Sequence, residues 1–82
     1  MKYKIKAKDS LLYDGKVIAK YNKTYLTNQY AVEDTKKGKQ LCFVPQGKNT
    51  MMYIHAEKKI FHKDFEVVIT DTETGNIIEV FK

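Results

Sequence analysis

Eighty-two residues carry 15 lysines and no arginine against 10 acidic side chains, for a formal charge of +5. A chain of this length makes one domain and buries roughly 60 to 65% of the surface that its unfolded form exposes, which leaves little room for a buried active site. Hydrophobic residues at 43%, with Tyr 6 and Phe 4 among them, exclude a disordered chain, and no run approaches the ~20 apolar residues of a membrane span.

The N-terminal MKYKIKAK lacks the apolar centre of a signal peptide, and the single Cys42 has no partner for an intramolecular disulfide. Both point to a cytoplasmic protein in a reducing compartment. Without arginine, the planar guanidinium that grips phosphate and guanine in two places is missing. A nucleic-acid role would rest on point charges and aromatic rings.

From Met1 to Lys8 the chain alternates, with Lys2, Lys4, Lys6 and Lys8 on one side and Tyr3, Ile5 and Ala7 on the other. Period two is a strand with one buried face. The lysines read as a solvated face that discourages edge-to-edge pairing, or as a surface for a polyanion or an acidic protein. Past Asp9 and Ser10 comes LLYDGKVIAK, where Asp14-Gly15 between two apolar runs predicts a two-residue type I′ hairpin.

Asn22-Lys23 interrupts the pattern, and TYLTNQYAVED resumes it with Leu26, Tyr30 and Val32 on one face. Asn28 falls on that face too, so the strand either bulges there or exposes its middle. DTKKGK is a polar hairpin tip with Lys36, Lys37 and Lys39 crowded around Gly38.

The stretch from Lys39 to Val68 organises the rest. LCFV is apolar at every position, the mark of a central strand buried on both sides. Pro45 ends it, and Gly47 and Asn49 turn the chain. MMYIHA then sets Met52, Ile54 and Ala56 to one side and Met51, Tyr53 and His55 to the other. HKDF reads as one helical turn placing Phe61 and Phe65 in the core, and FEVVIT is the returning strand. In DTETGNIIEVFK, Gly75-Asn76 turns the chain into a last strand with apolar groups on both faces, which predicts that it is packed down.

One Cys and two His, His55 and His62, fall short of the four ligands of a zinc site. Cys42 lies inside LCFV, where a buried thiol is inert, so a Cys–His nucleophile is not supported. There is no phosphate loop, no serine triad pattern and no dinucleotide fingerprint. No catalytic residue, metal or cofactor is expected, and the chain reads as a binding protein and not as an enzyme. Its candidate contact residues are Lys2, Lys4, Lys6, Lys8, Lys36, Lys37 and Lys39 with Tyr21, Tyr25 and Tyr53, rings that serve core packing, protein contact or base stacking.

Strands joined by tight turns, then HKDF just before EVVIT, resemble the SH3-like small β-barrel. The expected fold is all-β: a small, SH3-like, partly open barrel of about 6–7 antiparallel strands with one short 3₁₀ or helical turn and a C-terminal hairpin. KYKIKAK and DFEVV also resemble segments of the short, lysine-rich accessory proteins of phages and prophages of AT-rich Gram-positive bacteria. That resemblance implies a stoichiometric binder that inhibits or redirects a host protein, antiviral-defence components included. A nucleic-acid-binding barrel using the lysine ladder and tyrosines is the alternative, and a protein sequestering an anionic nucleotide is the third reading. The expected partner is a host protein or a nucleic acid, with no membrane, bound by a monomer or homodimer.

Overall fold

The computed structural model describes residues 1–56 and 62–82. It is all-β, with β1 (Tyr3–Tyr13), β2 (Lys16–Thr27), β3 (Tyr30–Thr35), β4 (Gly38–Phe43), β5 (Met52–His55), β6 (Glu66–Asp71) and β7 (Ile77–Phe81). The strands form two sheets, β2-β1-β6-β7 and β3-β4-β5, in which every neighbouring pair is antiparallel. The sheets do not close into a barrel, and no helix occurs among the described residues.

The core is built where the alternation of β1 meets the central strands of both sheets. Ile5 on β1, Val67 and Ile69 on β6, and Leu41 and Phe43 on β4 form one buried cluster. β1 and β6 are the inner pair of the four-stranded sheet and β4 is the middle of the three-stranded one. All five thus come from strands flanked on both edges, where packing from above completes the exclusion of water. Cys42, between Leu41 and Phe43, is buried with them, whereas Val44, the last residue of the apolar run, lies past the end of β4 and is exposed.

Several expectations need correction. Asp9 and Ser10 do not break the first strand: β1 runs through them, both are buried, and alternation puts Asp9 on the inward face with Ile5 and Ala7. Nor does Asn22-Lys23 interrupt β2, because edge position lets polar residues continue a strand whose ladder faces one neighbour only. The break comes at Asn28-Gln29, where the chain passes between sheets; the Thr27 hydroxyl lies 2.9 Å from the Val44 carbonyl and 3.0 Å from that of Gln29, and the Gln46 amide donates to the Leu26 carbonyl at 2.8 Å.

HKDF is not a helical turn. His62 forms a bridge with Leu11, and the Lys63 amide donates to the Ser10 carbonyl at 3.0 Å, so the chain is pinned against β1 at His62 and bends away through Lys63 and Asp64. The Ser10 hydroxyl fixes it by donating to Asp64 Oδ2 at 2.9 Å. Phe65 packs against the core, whereas Phe61 lies outside the described residues. The last strand is less covered than its composition suggests: β7 is an edge, with Ile77, Ile78 and Val80 exposed and Phe81 packed on the core.

Candidate interaction surfaces

β1 and β2 form a long hairpin turned at Asp14 and Gly15, whose φ values of 54° and 73° are those a type I′ turn requires. Twelve residues at about 3.4 Å each make β2 about as long as the molecule's 41 Å long axis. From Lys16 to Thr24 every residue of β2 is exposed. Among the described residues no strand pairs with its outer edge.

The tip of this arm is apolar where an edge strand is normally charged. Tyr13 is 70% exposed and Ile18 60%, with Val17 also exposed. Leu11 lies opposite Ala19 and Leu12 opposite Val17, which leaves Ile18 as a bulged residue without a counterpart. Lys16 and Lys20 flank this patch, and β2 carries no acidic residue.

At the foot of the arm, where the edge of β2 and the edge of β5 flank the gap between the sheets, lies a cleft of about 290 Å³. Ala7 and Asp9 of β1, Tyr21, Lys23 and Tyr25 of β2, and Phe65 line one side; Met52 to His55 line the other. Tyr25 is held by a tilted contact with Phe43, ring centroids 5.5 Å apart.

The one carboxylate in the lining among the described residues, Asp9, is fully engaged. Its Oδ1 accepts the Ser10 amide at 2.7 Å, and its Oδ2 accepts the Tyr21 hydroxyl at 3.2 Å and lies against His62 Nδ1 without hydrogen-bond alignment. Burial, then the charge and hydrogen bond of Asp9, raises the Tyr21 phenol above its ordinary range. A shallower trough of about 280 Å³ shares Lys8, Asp9 and Tyr21 with the cleft and adds Ser10, Lys20, Asn22 and Asp64.

The sequence candidates separate into three places. Tyr21, Tyr25, Tyr53 and Lys8 gather around the cleft, although alternation puts Tyr53 with Cys42 on the outer face of its sheet. Lys2 precedes β1, its ammonium 5.5 Å from the centroid of the Tyr3 ring, while Lys4, Lys6 and Lys8 stand on the solvent face of β1. Because β1 is central, these lysines do not guard an outer edge of the folded sheet. Lys8 is ion-paired with Glu66 at 2.8 Å, and this hydrogen-bonded contact raises the lysine and lowers the carboxylate from their usual ranges. Lys36, Lys37 and Lys39 lie at and beside the β3–β4 turn, away from the cleft.

Sequence reasoning gave Asp9, Ser10 and Asp64 no role, and weighed His62 only as a metal ligand or a base. The available signal was Asp9 itself, an acid at an inward position of an alternating strand, which demands polar partners. No group of His, Cys, Asp and Glu able to hold a metal occurs among the described residues, and no helix is long and apolar enough to cross a membrane. No protein-family model, curated protein or solved structure matches the chain.

Proposed function

We propose that this chain acts by binding a protein, docking an acidic, extended segment of its partner along the free edge of β2 and over the apolar tip of the arm. The observation that carries the reading is the exposure of Tyr13, Val17 and Ile18 beside an unpaired strand edge flanked by Lys16 and Lys20. An added strand would satisfy the open backbone groups, and acidic side chains would meet the lysines. A second copy of the chain is the poorer occupant: two-fold pairing centred on Ile18 sets Lys16 of one copy against Lys20 of the other, and the bulge twists the edge away.

The SH3-like, open arrangement that we propose for the two sheets suits this role, since an unclosed barrel leaves edges for partners. The class of partner follows the sequence resemblance: a host protein, antiviral-defence components included, bound by a small phage-like accessory protein.

A second reading has its own support in the lysines of β1, which form a row across the middle of a sheet face and suit a polyanion. One experiment separates the two. Capture from a host lysate with the wild-type chain, Ile18→Glu and Lys4→Ala is run beside titration with single- and double-stranded DNA and RNA at low and physiological salt. Docking on the arm predicts one protein lost by roughly 30-fold or more with Ile18→Glu and kept with Lys4→Ala. Nucleic-acid binding that survives physiological salt and ignores Ile18→Glu would replace it with the second reading.

A further inference from the structure

We propose that the cleft at the foot of the arm is a second, separate site, which binds a nucleobase together with its neighbouring phosphate. Flat heteroaromatic rings suit the lining. Tyr21 lines the cleft and is 45% exposed, which leaves part of its ring accessible to a ligand, and Tyr25 and Phe65, packed against the core, supply apolar contact. Across the gap lies the outer edge of β5, which among the described residues pairs with β4 only, leaving backbone donors and acceptors for the edge of a base.

The charge of the site selects an anion. Among the described residues Asp9 is the only acid in the lining, and both of its oxygens are taken by the protein's own groups. Lys8 spends its ammonium on Glu66, but Lys23 has no ion-pair partner among the described residues. Lys20 and Asn22 extend the same polar lining into the adjoining trough, where the second acid, Asp64, accepts the Ser10 hydroxyl. At about 290 Å³ the cleft stands at the small end of ligand sites, the size of a base with one phosphate. Stacking on tyrosine with a lysine on the phosphate is the contact set of such a ligand.

A free mononucleotide and a nucleotide within a single strand share this chemistry, and the probes distinguish them. Amide chemical shifts of the full chain are followed by NMR during titration with AMP, adenosine, inorganic phosphate and a short single-stranded oligoadenylate. A saturable shift at residues 21–25 and 52–55 is expected with AMP, tighter than with adenosine or phosphate alone. Tyr21→Ala weakens it on the order of 10-fold, the loss of about one stacking contact. Lys23→Ala weakens it several-fold, Tyr21→Phe retains it, and Ile18→Glu leaves it unchanged.

An oligoadenylate no tighter than AMP identifies the free nucleotide as the source; a tighter, steeply salt-dependent one identifies the strand. No saturable shift with either probe, or binding indifferent to both Tyr21→Ala and Lys23→Ala, overturns the site. Should Tyr21→Ala lose amide dispersion, Lys23→Ala on the exposed rim carries the test. Since Ile18→Glu reports on the arm alone, failure of the protein-docking reading stays separate from failure of this one.

Discussion

Tyr3 and Tyr30 meet edge to face, ring centroids 5.0 Å apart and planes at 83°, and so tie β1 of one sheet to β3 of the other. Such a pair adds roughly 0.5–1.5 kcal/mol beyond the area it buries. Burial first, and then the carboxylate of Glu79, pushes the Tyr30 phenol up to about 12.

Because that value is raised above the unfolded one near 10, the phenol's contribution is complete below about pH 10 and is lost as pH rises through about 12. Tyr30→Phe keeps the ring contact and removes this alkaline loss, whereas Tyr30→Ala destabilises at every pH, by about 2 kcal/mol. Urea midpoints across the alkaline range check both.

The buried cluster around Leu41 predicts strong sensitivity at its centre. Leu41 is fully buried beside Phe43 and Ile5, and Leu41→Ala costs about 3 kcal/mol, a large part of what a domain of this size holds. Ile78→Ala on the exposed edge changes stability by no more than about 0.5 kcal/mol. Urea unfolding with an unchanged slope separates the two; equal effects would mean that the core lies elsewhere.

Thr27 joins the sheets through its hydroxyl, which serves the Val44 and Gln29 carbonyls while the side chain is only 2% exposed. Thr27→Val keeps the shape and strips both carbonyls of this donor, at a cost of about 1–2 kcal/mol. The Gln46 amide, bonded to the Leu26 carbonyl next door, then exchanges with solvent faster than in the wild type. Unchanged exchange would show that the joint does not depend on this hydroxyl.

The Lys8–Glu66 pair is solvent-facing, and its signature is in titration. Glu66 loses its proton below the ordinary 4.5 because Lys8 bonds to its charged form. With the folded value depressed, the pair's contribution is present above the unfolded carboxylate range and is lost as pH falls through the folded value. Carboxyl shifts followed by NMR should show the Glu66 midpoint moving up in Lys8→Ala, and also in the wild type at high salt.

What was legible in the sequence was local. Alternation in KYKIKAK placed Ile5 inside and the lysines outside, Asp14-Gly15 marked its turn, and the unbroken LCFV marked the most buried strand. Partnership between distant segments was not. Nothing in MKYKIKAK says that β6, more than sixty residues on, lies beside β1, so its lysines read as guards of an edge that the folded sheet does not have. The cleft was half legible: Tyr21 and Tyr25 stood out as aromatic, but Asp9 and His62, fifty-three positions apart, are brought together only by the pairing of His62 with Leu11. HKDF failed as a helical turn because contacts to Ser10 and Leu11 override its weak local preference.

The placement of β1 between β2 and β6 also sets an order of events during synthesis. A hairpin forms in about 1–10 μs, so β1 and β2 pair as soon as both have left the ribosome. The strand that covers the other side of β1 is still some forty residues away; at roughly 5–20 residues per second it follows only seconds later. Throughout that interval β1 offers an open flank, with Ile5 uncovered, to every other nascent chain nearby. Lys4, Lys6 and Lys8 repel such neighbours, and they protect an edge that exists only while the protein is being made.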